Sequence, residues 1–332
     1  MKDVISVIIP VHNGQEYIKD CVDSVLSQHN ENYDLEILIV NDGSTDDTGV
    51  ICEALRNNHQ TVHVIALDDL GVSCGRNAGL DAAKGDFISF VDADDRLLPG
   101  AFAHMYGICK REDCDFAGCG FQMWHEGEYA ELIRRQDDFT GITYQRYRGN
   151  EYLDKGILAG DSRCWGKLYR RASIGNIRFE EGLCIGEDML FLLRVVARAK
   201  HIVISDYNGY GYYKNMAGLT LRPFDLGYMD QITCWQQAAS EIEKLRPDLK
   251  HRAIANLIIA VMLTAGKIAM LPKKSWPEYR DKIKYCHEQL VAARKVPGAF
   301  HRLSFGYKIK VMIFTQMPGW YVRLYHFWKR VF

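Results

Sequence analysis

No C-x-x-C pair occurs among the ten cysteines, which run from Cys21 to Cys286, and Cys109, Cys114 and Cys119 sit five apart, a spacing unlike that of zinc ligands. They are read as reduced thiols of a cytosolic compartment. Proline is sparse, 8 in 332 residues, and 48% of the chain is apolar, which excludes disorder and collagen-like repeats. The longest apolar run, Ile254 to Gly266, has 13 residues, short of the roughly 20 that a bilayer-spanning helix needs. The opening MKDVISVIIPVHN has a charged Asp3 ahead of its apolar stretch and no A-x-A site, so it is not read as a secretory leader. Neither G-x-G-x-x-G after the first strand nor G-x-x-x-x-G-K-[ST] occurs, and the dehydrogenase and P-loop readings fail with them.

Acidic side chains are missing from one region. No Asp or Glu follows Glu288, so the last 44 residues carry +8 while residues 1–288 carry −9. An acidic body argues against a general nucleic-acid binder, whereas a basic, aromatic-rich tail suits an anionic surface such as lipid headgroups. On a helix, the residues from Gly319 onward place Trp320, Tyr321, Leu324, Tyr325, Phe327 and Trp328 along one arc, continued by Val331 and Phe332. Arg323, His326, Lys329 and Arg330 fall on the other arc, with only Val322 out of place. The expectation is a cytoplasmic protein held peripherally on the inner face of the cell membrane by this tail.

What is present is a regular alternation. VISVIIPV (Val4–Val11), EILIV (Glu36–Val40), Val62–Ala66 and FISFV (Phe87–Val91) are apolar, β-branched runs of the kind that make strands covered on both faces. Between them lie helical patterns through Tyr17 to Leu26, Ile51 to Leu55 and Ser73 to Ala83, with Asn13 and Glu16 placed like a capping box. Strand–helix units in series imply an α/β fold with a mostly parallel central sheet. Such sheets take ligands beyond the carboxyl ends of their strands. There the polar residues gather: His12 and Asn13, Asn41 and Asp42, Asp68 and Asp69, then Asp92, Asp94 and Asp95. Each has a bland alternative, Asp42-Gly43 as a turn dipeptide and Asn13 as a helix cap. Four strand ends delivering acids or amides to one edge is more than turn chemistry requires.

VIIPVHN, VNDGSTDDT, GVSCGRNAGLDAAKGDFISFVDADD, RCWGKLYRR and GEDMLF, in that order, resemble glycosyltransferase family 2 over about residues 3 to 224. The resemblance implies a GT-A fold for residues 1–225, a UDP-sugar donor, Mg²⁺ or Mn²⁺ as cofactor, and transfer with inversion. It casts Asp92 and Asp94 of the D-x-D as ligands of a divalent cation bridging the diphosphate, with Asp92 also facing sugar or ribose. Two carboxylates suit a hard cation and leave positions for phosphate oxygens and water. It makes Asp42 the reader of uracil, walled by Pro10, His12 and Asn13, and gives nucleotide contacts to Arg76 and Asp69. Asp69 and Gln15 stand where the family often has Asn and Glu. Asp188 becomes the catalytic base and Glu187 its orienting neighbour, although acids in a first helical turn also merely complement the dipole. Trp165 and Lys167 match the family's W-x-K-L block for the sugar, the structural alternative being a core aromatic and an exposed strand charge. Lys214 and Thr220, in YYKNMAGLT, are placed near the diphosphate.

From residue 226 onward no motif is visible, and Gln231–Leu245, Leu249–Met270 and Glu278–Arg294 read as helices of a separate C-terminal region, 226–332. The acceptor, a glycan or polyprenyl-linked unit of a cell-surface polysaccharide by resemblance, would be chosen by Phe121 to Asp161 and these helices. A nucleotidyltransferase shares nucleotide and metal binding on a similar sheet, but HNGQEYIKD lacks the Gly/Arg/Lys-rich loop it needs. A non-catalytic nucleotide-binding protein would not require Asp92, Asp94 and Asp188 intact.

Overall fold

The computed structural model describes residues 2–134, 141–215 and 222–331. The chain divides into two compact units, one of Met1–Leu153, Ser162–Gly182 and Phe191–Gly218, the other of Asp154–Asp161, Leu183–Leu190 and Leu219–Phe332. The second unit therefore takes in two short segments, 154–161 and 183–190, from within the region expected to form a single domain.

The first unit opens with the expected alternation: β1 (Asp3–Val11), α1 (Ile18–Leu26), β2 (Tyr33–Asp42), α2 (Thr48–Asn58), β3 (Val62–Leu67), α3 (Val72–Ala82) and β4 (Phe87–Phe90). The chain continues through β5 (Arg96–Leu97), α4 (Ala101–Glu112), β6 (Phe116–Trp124), α5 (Tyr129–Arg134), β7 (Tyr144–Tyr147), α6 (Gly149–Lys155), β8 (Lys167–Arg170), α7 (Arg171–Ile174), α8 (Glu187–Arg198) and β9 (Ile202–Tyr213), the last two residues of α6 and the first four of α8 being counted with the second unit. The strands form one sheet in the order β3-β2-β1-β4-β8-β6-β9-β5, with β7 on β9. β1, β2, β3 and β4 are mutually parallel, while β8 joins β4 and β6 antiparallel. Every residue of β1 from Ile5 onward is buried, as its near-continuous apolar run requires of a central strand.

The capping expectation is corrected. α1 starts at Ile18, with no side-chain bond at its cap. Its first turn is closed by the Gly14 carbonyl, which accepts from the N–H groups of Tyr17 and Ile18. Asn13 instead turns left-handed, φ 51°, and its Oδ1 accepts from the Thr45 N–H at 2.8 Å. The loop after β2 offers that donor directly, so Asn13 ties two strand-end loops together.

α3 lies unusually close to β1. A Cβ on Gly79 would sit 2.4 Å from Cγ2 of Ile8, and one on Gly75 would stand 3.4 Å from Cβ of Pro10. Gly79 is thus what allows the helix that close, the contact at Gly75 being an ordinary one, and Arg76 lies between the two.

The second unit is helical: α9 (Asp230–Leu245), α10 (Lys250–Met270), α11 (Arg280–Arg294), α12 (Phe305–Gln316) and α13 (Pro318–Val331). The stretch Pro247–Met270 is longer than its 13-residue apolar core suggested. It is 24 residues long and its most apolar 18 residues, at mean hydropathy 1.9, meet the composition of a membrane span, yet 67% of that stretch is buried inside the protein. It is the centre of a core with Leu290, Val311, Phe314 and Tyr321. All ten cysteines are free thiols.

Candidate active site

Because β1 to β4 run parallel, their carboxyl ends share one edge of the first unit, and the acids expected there are brought together. Past β4 the chain turns at Asp92-Ala93-Asp94-Asp95, the Asp95 N–H closing the turn on the Asp92 carbonyl at 3.0 Å. The three carboxylates take different partners. Asp92 Oδ1 accepts from the Arg76 guanidinium at 2.9 Å. Arg76 is only 3% exposed, and its guanidinium also lies over the ring of Phe179, 5.2 Å from the centroid. Asp94 Oδ2 accepts from the side-chain amide of Asn215 at 3.2 Å. Burial raises its carboxyl above the usual range, against the pull of that hydrogen bond.

Asp95, named in the sequence only as the last acid of the strand end, proves to be the buried anchor of the turn. Its Oδ2 accepts from the hydroxyl of Tyr210 at 2.7 Å and its Oδ1 from the Tyr213 N–H at 2.7 Å. Burial first, then the neighbouring Asp92 and Asp94, push its carboxyl well above the ordinary range. The same Tyr210 hydroxyl accepts from the Asp92 N–H at 3.2 Å. One tyrosine thus holds both ends of the acidic turn. Nothing local in the sequence flags these partners, since β9 lies more than a hundred residues away; the alternating GYGYY run is the only trace.

At the other strand ends, Asp42 is buried and its two oxygens accept from the N–H groups of Leu70 and Gly71, at 2.8 and 2.7 Å. It fixes the loop between β3 and α3, and further acceptor capacity on its carboxylate is all that a base could engage. His12 stands over this loop, Nδ1 2.6 Å from the Asp42 carbonyl and 3.6 Å from Asp69 Oδ1. Asn13 Nδ2 lies 3.1 Å from the other His12 ring nitrogen. Asp69 is exposed at φ 56°. Pro10 is buried beneath, in β1. Asn77, beside Arg76, is structural: its amide pairs both backbone groups of Phe179, at 2.8 and 3.0 Å.

Trp165 and Lys167 lie deeper than a sugar contact on the surface would. Trp165 is buried with its ring stacked on Tyr210 at 4.3 Å and near-parallel to Tyr212 at 5.5 Å. Lys167, also buried, donates from Nζ to the Arg163 carbonyl at 2.9 Å. Trp165 therefore braces the strand that carries Tyr210, while Lys167 ties down the turn that precedes its own strand. Lys214 is exposed beyond β9, while Thr220 lies outside the described residues.

Glu187 and Asp188 belong to the second unit and occupy the first turn of α8, Glu187 buried and Asp188 half-buried. The Gly186 before them has φ 99°, and a Cβ there would fall 2.6 Å from Sγ of Cys234. The Cys234 thiol donates to the Gly186 carbonyl at 2.8 Å. Cys234, on α9, therefore pins the turn that starts the helix, a role its sequence position gave no sign of.

Among the described residues, no group of three or more His, Cys, Asp and Glu is arranged to hold a metal by itself. Asp92 and Asp94 offer two hard oxygen donors, and burial of Asp94, whose carboxylate accepts from the neutral amide of Asn215, makes a cation favourable there. That fits a Mg²⁺ or Mn²⁺ completed by phosphate oxygens and water.

Comparison with known proteins gives this geometry its setting. The model of the family described as "Glycosyl transferase family 2" matches residues 6–178. The glycosyltransferase EpsJ of Bacillus subtilis (strain 168) is 30% identical over 236 residues, covering 68% of this chain and 65% of that protein. The minor teichoic acid biosynthesis protein GgaA of the same organism is 27% identical, covering 59% of this chain and 44% of that one. The chain thus spans less than two thirds of the length of either relative. In fold, it is similar to Staphylococcus aureus TarS 1-349, crystallised in complex with UDP-GlcNAc, with TM-score 0.73 and 22% identity over 99% of this chain and 92% of that one. The mostly parallel sheet, followed in sequence by a helical region, is of GT-A type, and the chain belongs to glycosyl transferase family 2.

Proposed function

We propose that this glycosyltransferase moves a hexose or N-acetylhexosamine from a UDP-sugar to a hydroxyl of a glycan or lipid-linked acceptor in cell-surface polysaccharide synthesis, with inversion. The observation that carries the reading is the acidic turn after β4, whose three carboxylates are separately held by Arg76, Asn215 and Tyr210. Supporting the donor, TarS shares the fold and was crystallised with UDP-GlcNAc; supporting the acceptor class, GgaA is named for teichoic acid biosynthesis.

In the reaction, the acceptor oxygen forms its bond to the anomeric carbon as the bond to the diphosphate oxygen breaks, and UDP leaves. Asp188 takes the acceptor's proton, and Glu187 positions it or the acceptor. A Mg²⁺ or Mn²⁺ held by Asp92 and Asp94 would supply the positive charge that lets a diphosphate depart without a protonating acid. Arg76 holds Asp92 in place through their ion pair, and Asp95 fixes the turn through Tyr210. His12, Asn13 and Asp69 rim the space over the Asp42 loop where a uracil would lie, Pro10 flooring it, while Lys214 is the cation nearest in sequence to Asn215 for the diphosphate.

The test is calorimetric titration of UDP into wild type and Asp94→Ala, each with and without Mn²⁺. Binding to wild type should require the metal, because a diphosphate beside uncompensated carboxylates is repelled; Asp94→Ala should lose the metal dependence. Equal affinity in all four combinations overturns the reading.

A further inference from the structure

The last helix was expected to set an aromatic arc against a basic one. The structure redraws the division. In α13 the inward residues are Tyr321, Val322 and His326, each nearly or fully buried. Val322, the residue that spoiled the arc, is in its proper place. His326, expected outside, is 3% exposed, with Nδ1 2.8 Å from the Ala269 carbonyl of α10 and the Trp276 ring edge-on at 5.3 Å. α13 docks this deeply because Gly266 of α10 leaves room for the Tyr325 ring, whose Cζ stands 3.1 Å from where a Cβ would be.

With that face fixed inward, the opposite face is left to solvent. Trp320, Leu324 and Phe327 are one stripe at helical spacing, and Trp320 and Phe327 are 58% and 68% exposed. α12 repeats the arrangement. Val311 and Phe314 point into the core, while Phe305, Ile309 and Met312 form an outward stripe, Phe305 being 79% exposed. The two helices pack antiparallel, since Phe314 meets Tyr321 at 5.0 Å while Lys310, a turn earlier, reaches the rings of Tyr325 and Trp328, a turn later. Both bury their inner faces in the same core, so both outward stripes face away from it.

Soluble proteins scatter exposed apolar residues singly; two parallel stripes of Trp, Phe, Leu, Ile and Met mark an interaction face. Its charge identifies the partner. Arg323 lies against Trp320, Lys329 against Trp328, and no acid occurs anywhere after Glu288. A symmetric pairing of two copies through this face would set these cations against one another. An anionic lipid surface would satisfy both parts, taking the apolar stripes into the acyl boundary and the cations at the headgroups. We infer that α12 and α13 form a two-helix monotopic anchor that lies in the plane of an anionic bilayer. The inference is independent of the reading of donor and acceptor.

Flotation of the full chain with phosphatidylcholine vesicles, with and without phosphatidylglycerol, tests it. Wild type should float with the anionic vesicles at low salt and be released at high salt. Trp320→Ser/Phe327→Ser, whose side chains lie outside the core, should keep the wild-type melting temperature and lose binding at least ~10-fold. Arg323→Glu and Lys329→Glu should each weaken binding about fivefold or more. A wild-type chain that stays unbound at low salt overturns the inference, as does a folded Trp320→Ser/Phe327→Ser variant that floats unchanged. If wild type instead sediments as a dimer that this variant dissociates, with no vesicle binding, a second copy covers the face and the lipid assignment falls. None of these outcomes involves nucleotide, so each is separable from failure of the donor reading.

Discussion

Replacing Arg76 by Met would remove a buried cation while leaving its carboxylate partner in place. The Arg76 side chain is 4% exposed and its guanidinium lies 2.9 Å from Asp92, whose side chain is 28% exposed. Breaking a fully buried pair from one side costs about 3–5 kcal/mol, and the lost contact with Phe179 adds roughly 0.5–2 kcal/mol. Partial access of water to Asp92 draws the sum toward the lower end, about 3 kcal/mol. For a unit of this size that is a fall in melting temperature of roughly 6–12 °C. Urea denaturation of wild type, Arg76→Met, Asp92→Asn and the double variant at neutral pH would measure it. Asp92→Asn in the Arg76→Met background should restore part of the loss, because it removes the stranded charge, giving a coupling of about 1–3 kcal/mol. An Arg76→Met protein within ~1 kcal/mol of wild type, or a cycle with no coupling, would refute the claim that the ion pair organises the acidic turn.

Two further outcomes follow from the same residues. Burial raises the folded carboxyls of Asp94 and Asp95, so the folded chain binds more protons than the unfolded one; their contribution favours folding below the unfolded carboxylate range, about 3.9, and is lost as pH rises through the raised values. Asp94→Asn should therefore gain stability relative to wild type as pH rises above the unfolded carboxylate value of about 3.9, and a difference that does not change with pH in denaturant titrations would contradict it. Asp188→Asn should retain UDP binding by calorimetry while losing transfer by roughly 10²- to 10⁴-fold; transfer near the wild-type rate would move the base elsewhere, with Glu187 next to be replaced.

Much of this was legible because β1 to β4 are β-branched runs whose ends carry acids, and a parallel sheet leaves those ends only one edge to share. The remainder depended on contacts between distant segments. Asp95 looked like one more turn acid until Tyr210 and the Tyr213 N–H, on a strand far along the chain, were found on its two oxygens. Trp165 carried a motif that suggested sugar, but its stacking on Tyr210 and Tyr212 is decided by the β8–β6–β9 pairing. Periodicity found α13 but not its inward face, because a glycine on α10 and the Ala269 carbonyl select Tyr325 and His326. Asn13 had the right chemistry for a cap and found a nearer donor.

The closeness of α3 to β1 bears on how any large substitution survey of this chain should be interpreted. In GRNAG the arginine reads as chemistry and the glycines as spacing, yet a side chain at Gly79 would meet Ile8 at 2.4 Å and lift the helix that seats Arg76. Loss of turnover at Gly79 would therefore look, in an activity screen, like loss of a binding residue. Only an abundance or melting measurement run in parallel would sort the two, with Gly79 variants failing both screens and Asp188 variants failing one.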